Sequence, residues 1–230
     1  MFTMRYMAIF LILAVVAACA KPVALQYAHE QPTLNEGSKY VLVVEPVVDV
    51  RGGDREIDEA LTERPCSALT AILEEEMRST GLFANVVRST DTPKTAALQG
   101  EPGKKHLRMK ASLIDLAWDV PGYQSIVTTR AVTSQFGAVG MLARGLYESS
   151  EDVPVYGRTT IGVEFLDADN EQVLLANEYY GVAQKRHKIE DCDKNETKSR
   201  IIGVSAENAM DQLKADVATL IARSNAGQTL

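Results

Sequence analysis

The chain has 230 residues and a formal net charge of −7, with 31 acidic against 24 basic side chains. This acidic balance argues against a nucleic-acid partner, whose phosphates require a basic face on the protein. The length and a hydrophobic content of 46% are enough for one folded domain with its own core.

The N-terminus is predicted to be a secretory signal that ends in a cysteine. Residues 1–5 carry one positive charge, and residues 6–18 are an uncharged apolar run that is too short for a comfortable membrane span. The run ends in Val-Ala-Ala before Cys19. A branched aliphatic residue, two small residues and a cysteine resemble the lipobox of bacterial lipoproteins. An ordinary secretory signal cut after Ala18 or Ala20, with Cys19 incidental, is the alternative.

The lipobox resemblance implies that residues 1–18 are removed and that Cys19 carries fatty acyl chains such as palmitate. Several acyl chains anchor a protein durably, whereas a single chain binds only marginally. Ala20 stands where an aspartate would suggest retention in the inner membrane. The resemblance therefore implies an outer-membrane lipoprotein whose domain faces the periplasm. Residues 19–38, which are broken by prolines and a glycine, are expected to be the lipidated cysteine and a flexible tether.

Residues 39–224 are expected to form a single domain. Apolar patterns predict a strand, a helix and two more strands in its first half: residues 39–50, 65–80, 82–88 and 106–118. Pro46 interrupts the first strand, which favours an edge position or a bulge there. Pro65 suits the first turn of the helix, and Gly81 suits its C-terminal cap. The last strand alternates until its polar side turns apolar at Ile114, so its far end is expected to be covered.

Residues 119–154 are predicted to be an insert. Apolar residues recur there at helical spacing from about residue 128 to residue 147, but three glycines weaken this helix. A marginal amphipathic helix, an apolar hairpin and a flap that packs on its own domain all stay open. Five apolar side chains of the insert are candidates for contact with a partner: Phe136, Val139, Met141, Leu142 and Leu146.

A hairpin and a helix are predicted to close the domain. Residues 155–167 and 172–185 are two runs of strand formers that a short turn-forming segment separates, which is typical of a β-hairpin. The remaining elements are a charged loop, a closing helix with Ser205 as its cap, and a frayed tail: residues 186–200, 203–224 and 225–230.

Cysteine usage agrees with export. With Cys19 acylated, Cys66 and Cys192 remain. An even number of remaining cysteines in an exported chain favours one disulfide, here between the first helix and the charged loop. Two separate buried thiols are the alternative.

The order of elements predicts an α+β fold with about five mostly antiparallel strands, two helices packed on one face, and an inserted Gly-containing apolar segment. The lipobox, the Val-rich run at residues 39–50, the helix that ends at Gly81 and the run GVEFLDADNEQVL at residues 162–174 resemble small outer-membrane lipoproteins of the YajG type. More distantly, they are similar to the periplasmic domain of the curli secretion lipoprotein CsgG. The resemblance implies a lipid-anchored periplasmic module that assembles with other proteins or supports the envelope, and it supplies no catalytic residues.

The sequence holds no recognisable catalytic, metal or cofactor motif. His29, His106 and His187 fall in the tether, on a strand and in the charged loop, away from any ligand or nucleophile pattern. We therefore expect no enzyme activity, no cofactor and no metal ion. One hypothesis is an accessory lipoprotein that binds another envelope protein, or itself, through residues 119–154. The second is a ring-forming subunit of a secretion or surface-organelle assembly, and carriage of a small apolar ligand is a third.

Overall fold

The computed structural model describes residues 25–28, 34–35, 37–51, 65–90, 103–135 and 137–226. Within these ranges the chain forms strands β1 (Tyr40–Val44), β2 (Val48–Asp49), β3 (Asn85–Arg88), β4 (Lys105–Asp119), β5 (Asp152–Asp167) and β6 (Val173–Lys188). The helices are α1 (Pro65–Ser79), α2 (Tyr123–Ser134), α3 (Gly137–Ser150) and α4 (Asn195–Asn225). The predicted signal with Cys19, His29, Phe136 and the last four residues of the tail lie outside the described residues.

The six strands form one mixed sheet in the order β3-β1-β4-β5-β6, with β2 also paired to β4. β1 pairs in parallel with both β3 and β4, whereas β4, β5 and β6 are antiparallel to one another. A parallel pair needs a long crossover connection, and α1 lies in the connection between β1 and β3. The expected α+β fold is present. However, the strands are antiparallel only in the half of the sheet that β4, β5 and β6 form, whereas β1 pairs in parallel with its neighbours.

Two irregularities in the strands follow from the sequence. The predicted first strand is divided into β1 and β2 on either side of Pro46, although β1 lies inside the sheet rather than at its edge. In β4 the register shifts between Leu113 and Asp115. The shift changes which positions of β4 face the core. Leu113 is buried, and the next buried residue is Leu116, three positions later instead of two. This bulge accounts for the point at which the polar side of β4 turns apolar.

The main core lies on one face of the sheet, and Val41 and Val87 form a small second cluster that is separate from it. Alternate residues of β4 and β5 point into the main core, including Met109 and Phe165, while their neighbours along each strand are more exposed. α1 contributes Leu73 and Met77 to the same core, and α4 contributes Met210. These two helices are the pair expected from the sequence, and the insert supplies the other two described helices.

The closing helix α4 begins at Asn195, eight residues before the predicted start. β6 also continues to Lys188, so the charged loop predicted over residues 186–200 is mostly strand and helix. Ser205, predicted as a helix cap, lies inside α4 and is fully buried. Its hydroxyl donates to the carbonyl oxygen of Ile202 at 2.7 Å and lies 2.7 Å from the hydroxyl of Thr159 on β5.

The β5–β6 hairpin confirms the predicted hairpin, and its strands are the longest of the described part of the chain. Its strands have 16 residues each, or about 50 Å at the usual rise per residue. Asp152 pairs with Lys188 at one end, and Leu166 pairs with Val173 at the other. We call the first the insert end, because the insert joins β4 to β5 there, and the second the turn end.

Glycines allow α4 to approach the hairpin backbone to backbone. A Cβ added at Gly157 of β5 would overlap the carbonyl oxygen of Ile201, and one at Gly181 of β6 would overlap the carbonyl oxygen of Ser205. No side chain larger than hydrogen fits at either position, so these two glycines fix the distance between helix and sheet.

Residues 25–28, here called the strap, lie against the outer side of α4. The backbone N–H of Gln26 donates to the hydroxyl of Ser199 at 3.0 Å, and the N–H of Ala28 donates to Glu207 at 3.2 Å. A Cβ at Gly203 would overlap the carbonyl oxygen of Gln26. The contact differs from the unstructured tether that we expected over residues 19–38.

Because α4 lies so close to the hairpin, a side chain added at their contact should destabilise the protein, whereas one added at an open position should not. Gly181→Ala should lower the free energy of unfolding by about 1–3 kcal/mol, because helix and hairpin must separate to admit the methyl group. Gly145→Ala is the matched control: nothing lies within 4 Å of a Cβ there, and alanine should stabilise helix α3 by up to about 1 kcal/mol. Urea unfolding of both variants measures the difference, and equal effects would contradict the packing described here.

Candidate interaction surface

The insert consists of two helices that connect the end of β4 to the start of β5. Gly122 precedes α2 with a φ of 77°, a left-handed conformation that glycine adopts without strain. One helix over residues 128–147 was an open alternative in the sequence, and the described residues form the pair α2 and α3 instead. The hairpin alternative is therefore wrong for this segment.

One arginine attaches the insert to the rest of the domain. Nε of Arg130 on α2 donates to Oε1 of Glu148 on α3 at 2.6 Å. Nη1 donates to Asp193, and Nη2 donates to the carbonyl oxygen of Ile189 at 2.8 Å. Since Ile189 and Asp193 lie between β6 and α4, a single guanidinium joins both insert helices to the insert end of the hairpin.

The electrostatics of this cluster favour the charged guanidinium of Arg130 and the neutral phenol of Tyr123. Burial alone would lower the pKa of Arg130, but hydrogen bonds and charge from Glu148 and Asp193 raise it. Nε of Arg144 donates a further hydrogen bond to Glu148 at 2.9 Å. The hydroxyl of Tyr123 donates to Asp193 at 3.2 Å, and burial, followed by the charge of Asp193, raises the pKa of that phenol. Removing one partner of a partly buried ion pair of this kind lowers the free energy of unfolding much more than removing one partner of a surface pair does.

The opposite side of α3 is apolar and exposed. Val139, Leu142 and Leu146 are 75%, 71% and 73% exposed, and their spacing of three and four residues places them on one helical face. We call these three residues the α3 stripe. Glu148 falls about half a turn from Val139 around the helix, so the buried carboxylate and the stripe lie on opposite sides. Exposed apolar side chains that cluster in this way are typical of interaction sites.

The candidate contact residues chosen from the sequence divide into three groups. Val139, Leu142 and Leu146 share the stripe, whereas Met141, 65% exposed, lies on another side of α3. Phe136 is outside the described residues. The side chains of the described candidates face outward, although Tyr123, Ile126 and Tyr147 pack the other side of the insert on its own domain.

The structure contains two free thiols in place of the disulfide expected between Cys66 and Cys192. Cys66 is half-buried, and burial followed by the charge of Asp49 raises its pKa. Cys192 is fully buried, and its thiol donates to the carbonyl oxygen of Ile189 at 3.1 Å. The two thiols have different neighbours, so the separate-thiol alternative describes this structure.

This arrangement predicts that denaturation without a reductant exposes two reactive thiols in a Cys19→Ser chain. In the folded chain, Cys192 should react with a maleimide far more slowly than Cys66, because Cys192 is fully buried whereas Cys66 is only half-buried. Mass spectrometry of the alkylated chain counts the thiols. No reaction before reduction would instead show that the two cysteines are bridged.

A second surface feature is an open groove of about 710 Å³ on the face of the sheet that the helices do not cover. Lys110, Glu164 and Glu178 line it together with Ser112 and Gly162. Apolar side chains, among them Ile114 and Val163, line the rest of the groove, but it is open to water, whereas a pocket for a small apolar ligand encloses most of the ligand's surface. The groove therefore gives no support to the hypothesis of apolar ligand carriage.

The described part of the chain contains no candidate metal cluster and no candidate membrane-spanning helix. No group of three or more His, Cys, Asp or Glu side chains among these residues is arranged to hold a metal ion. Within the same ranges, no helix combines the length and the apolar character needed to cross a bilayer.

No family model matches the chain, and no curated protein matches it either. Among solved structures, it is similar to a neuraminyllactose-binding hemagglutinin homologue from Helicobacter pylori, with 9% identity and a TM-score of 0.46 over 89% of this chain and 99% of the other. A Xanthomonas campestris protein of family DUF330 matches with 11% identity and a TM-score of 0.41 over 88% and 99%. The lipoprotein GNA1162 from Neisseria meningitidis matches with 11% identity and a TM-score of 0.27 over 80% and 99%. These TM-scores are too low to carry an argument about function.

The Arg130 cluster predicts a local effect on the insert. Arg130→Ala should lower the free energy of unfolding by about 1–3 kcal/mol and speed amide hydrogen exchange in α2 and α3 more than in the sheet. The control is Arg158→Ala, which removes a more exposed ion pair with Asp115 and should cost less than about 1 kcal/mol. Exchange that rises evenly over the whole domain would show that Arg130 does not hold the insert specifically.

Proposed function

We propose that the protein is a lipid-anchored, non-catalytic module of the bacterial outer membrane, with its domain in the periplasm and the insert as its docking surface. The observation that carries the proposal is Cys19, which follows an uncharged apolar run and the residues Val-Ala-Ala. Only a thiol forms the thioether that anchors such a protein, and small residues before it suit cleavage.

The strap supports this proposal, because it brings the chain onto the domain soon after Cys19. Leu25 packs against the core only six residues after the cysteine. A body held this closely to its lipid stays beside the membrane surface, where another envelope protein would meet it.

The polar clusters of the described residues have structural partners, which favours a docking role over catalysis. Tyr179 donates to Asp216 at 3.1 Å, and burial, followed by that carboxylate, raises the pKa of the phenol. Arg130 and Glu148 bind each other. Displaced pKa values at a catalytic site usually serve a substrate, whereas these belong to contacts that join one element to another.

The ring-forming alternative is less well supported by the edge of the sheet. β6 is an edge strand, and a long edge can pair with a strand of a neighbouring subunit. Here the side-chain amides of Asn208 and Gln212 on α4 donate to the carbonyl oxygens of Val182 and Tyr180 at 2.7 Å and 2.8 Å. Because these side chains occupy carbonyl groups of β6, direct strand pairing between copies would first have to displace them.

Acylation of Cys19 is the test of this proposal. The full chain is expressed in a bacterium that has an outer membrane and is fed an alkyne analogue of palmitate. The natural chain should carry the label and sediment with the outer membrane, and Cys19→Ser should lose the label because it has no thiol to acylate. Cys66→Ser is the matched control and should behave like the natural chain.

An unlabelled chain in the soluble periplasmic fraction would contradict the proposal. If the signal is an ordinary one cut after Ala18 or Ala20, the natural chain will be unlabelled and released with the soluble periplasmic proteins. The mass of the mature N-terminal peptide distinguishes this outcome from poor labelling.

A further inference from the structure

We infer that the α3 stripe rests on the same bilayer that holds the lipid of Cys19, so that the protein contacts its membrane at two places. This inference rests on the proposed lipid anchor. The occupant of the stripe is the lipid surface itself, and it is indicated by three observations: where the strap begins, where the insert is attached, and the chemistry of the stripe.

The strap begins at the insert end of the molecule. Gln26 bonds to Ser199 near the start of α4, and Ala28 bonds to Glu207 two turns later, so the strap runs along α4 in the same direction. α4 begins at the insert end, because Ile201 lies over Gly157 near the start of β5, whereas the hydroxyl of Ser224 near its end meets Tyr40 at the far side of the sheet. Leu25, the first described residue of the strap, therefore lies at the insert end.

The insert is attached at this same end. Arg130 binds Asp193 and Ile189, which lie directly before α4. The turn end of the hairpin, with Val173, is about 50 Å away along β6. Strap and stripe therefore lie at the same end of the hairpin.

The lipid of Cys19 cannot be far from that end. Leu25 is six positions after Cys19, and a fully extended chain of six steps spans at most about 20 Å. The point at which the acyl chains enter the bilayer therefore lies nearer to the insert end than to the turn end, and this favours contact between the bilayer and the insert.

The chemistry of the stripe suits the interface of a bilayer. α3 has only two charged side chains, Arg144 and Glu148, and they bind each other away from the stripe. The whole chain carries a net charge of −7, so electrostatic attraction to anionic lipid is not the driving force. Exposed valine and leucine on a helix that lies flat enter the headgroup boundary by apolar burial alone, and we expect the contact to be insensitive to salt.

The test uses the mature acylated protein, purified in detergent and reconstituted into vesicles of neutral phosphatidylcholine with or without bromine on the acyl chains. Mass spectrometry first verifies the acyl groups, so a failure of the lipid anchor is seen separately. Leu142→Trp places a fluorophore on the stripe. Val173→Trp is the control, because Val173 is also exposed but lies at the turn end. Trp118 contributes the same background to both variants.

Brominated lipid should quench Leu142→Trp about twofold more than Val173→Trp, because only the stripe reaches the acyl region. Adding Val139→Asn and Leu146→Asn to Leu142→Trp should bring quenching down to the control level while the acyl anchor stays in place. Equal quenching of the two tryptophan variants in acylated protein would overturn the inference. So would a dimer in detergent whose emission at position 142 is shielded without any bilayer, because the stripe would then bind a second copy.

Discussion

The contact between α4 and the hairpin is the constraint on which the other features depend. Gly157 and Gly181 allow the backbones to meet at Ile201 and Ser205, and the hydroxyls of Thr159 and Ser205 bond to each other inside this contact. A close-packed interior cannot absorb even one methyl group without a shift of its elements. The position of α4 is therefore fixed along the whole hairpin, and it determines where the strap lies and where the insert is attached.

A buried ion pair joins α4 to α1, and a tyrosine of the strap lies beside it. Nζ of Lys214 on α4 lies 2.9 Å from Oε2 of Glu76 on α1, whose side chain is only 2% exposed. Burial first, and then the charge and hydrogen bond of Glu76, raise the pKa of Tyr27 in the strap. Burial alone would lower the pKa of Lys214, but hydrogen bonds to Glu76 and Asp211 raise it. Since an unpaired buried charge is costly, the strap, α1 and α4 each depend on the other two.

Local sequence patterns predicted the helices and strands well. They did not predict which strands pair in parallel or which distant side chains meet. The alternation in β4 and the turn residues between β5 and β6 are contained within short stretches of sequence, and both predictions are confirmed. The parallel pairing of β1 has no such local signal. The start of α4 was missed because residues 195–200 are mostly polar, although Glu196 and Arg200 form an ion pair at helical spacing. Likewise, Arg130 and Asp193 are 63 residues apart, and only the fold brings them together.

The exposure of the stripe follows from the charges on the other side of α3. Turning α3 so that Leu142 and Leu146 faced the domain would carry Glu148 out toward water and leave Arg130 with one carboxylate fewer. The penalty for a partly buried guanidinium without its full set of acceptors opposes that rotation. Burial of the leucines in the domain would favour it, at about 1.5–3 kcal/mol for each side chain, but the same rotation would turn Tyr147 away from the core against which it packs. The charged cluster thus orients the helix and directs its apolar side outward.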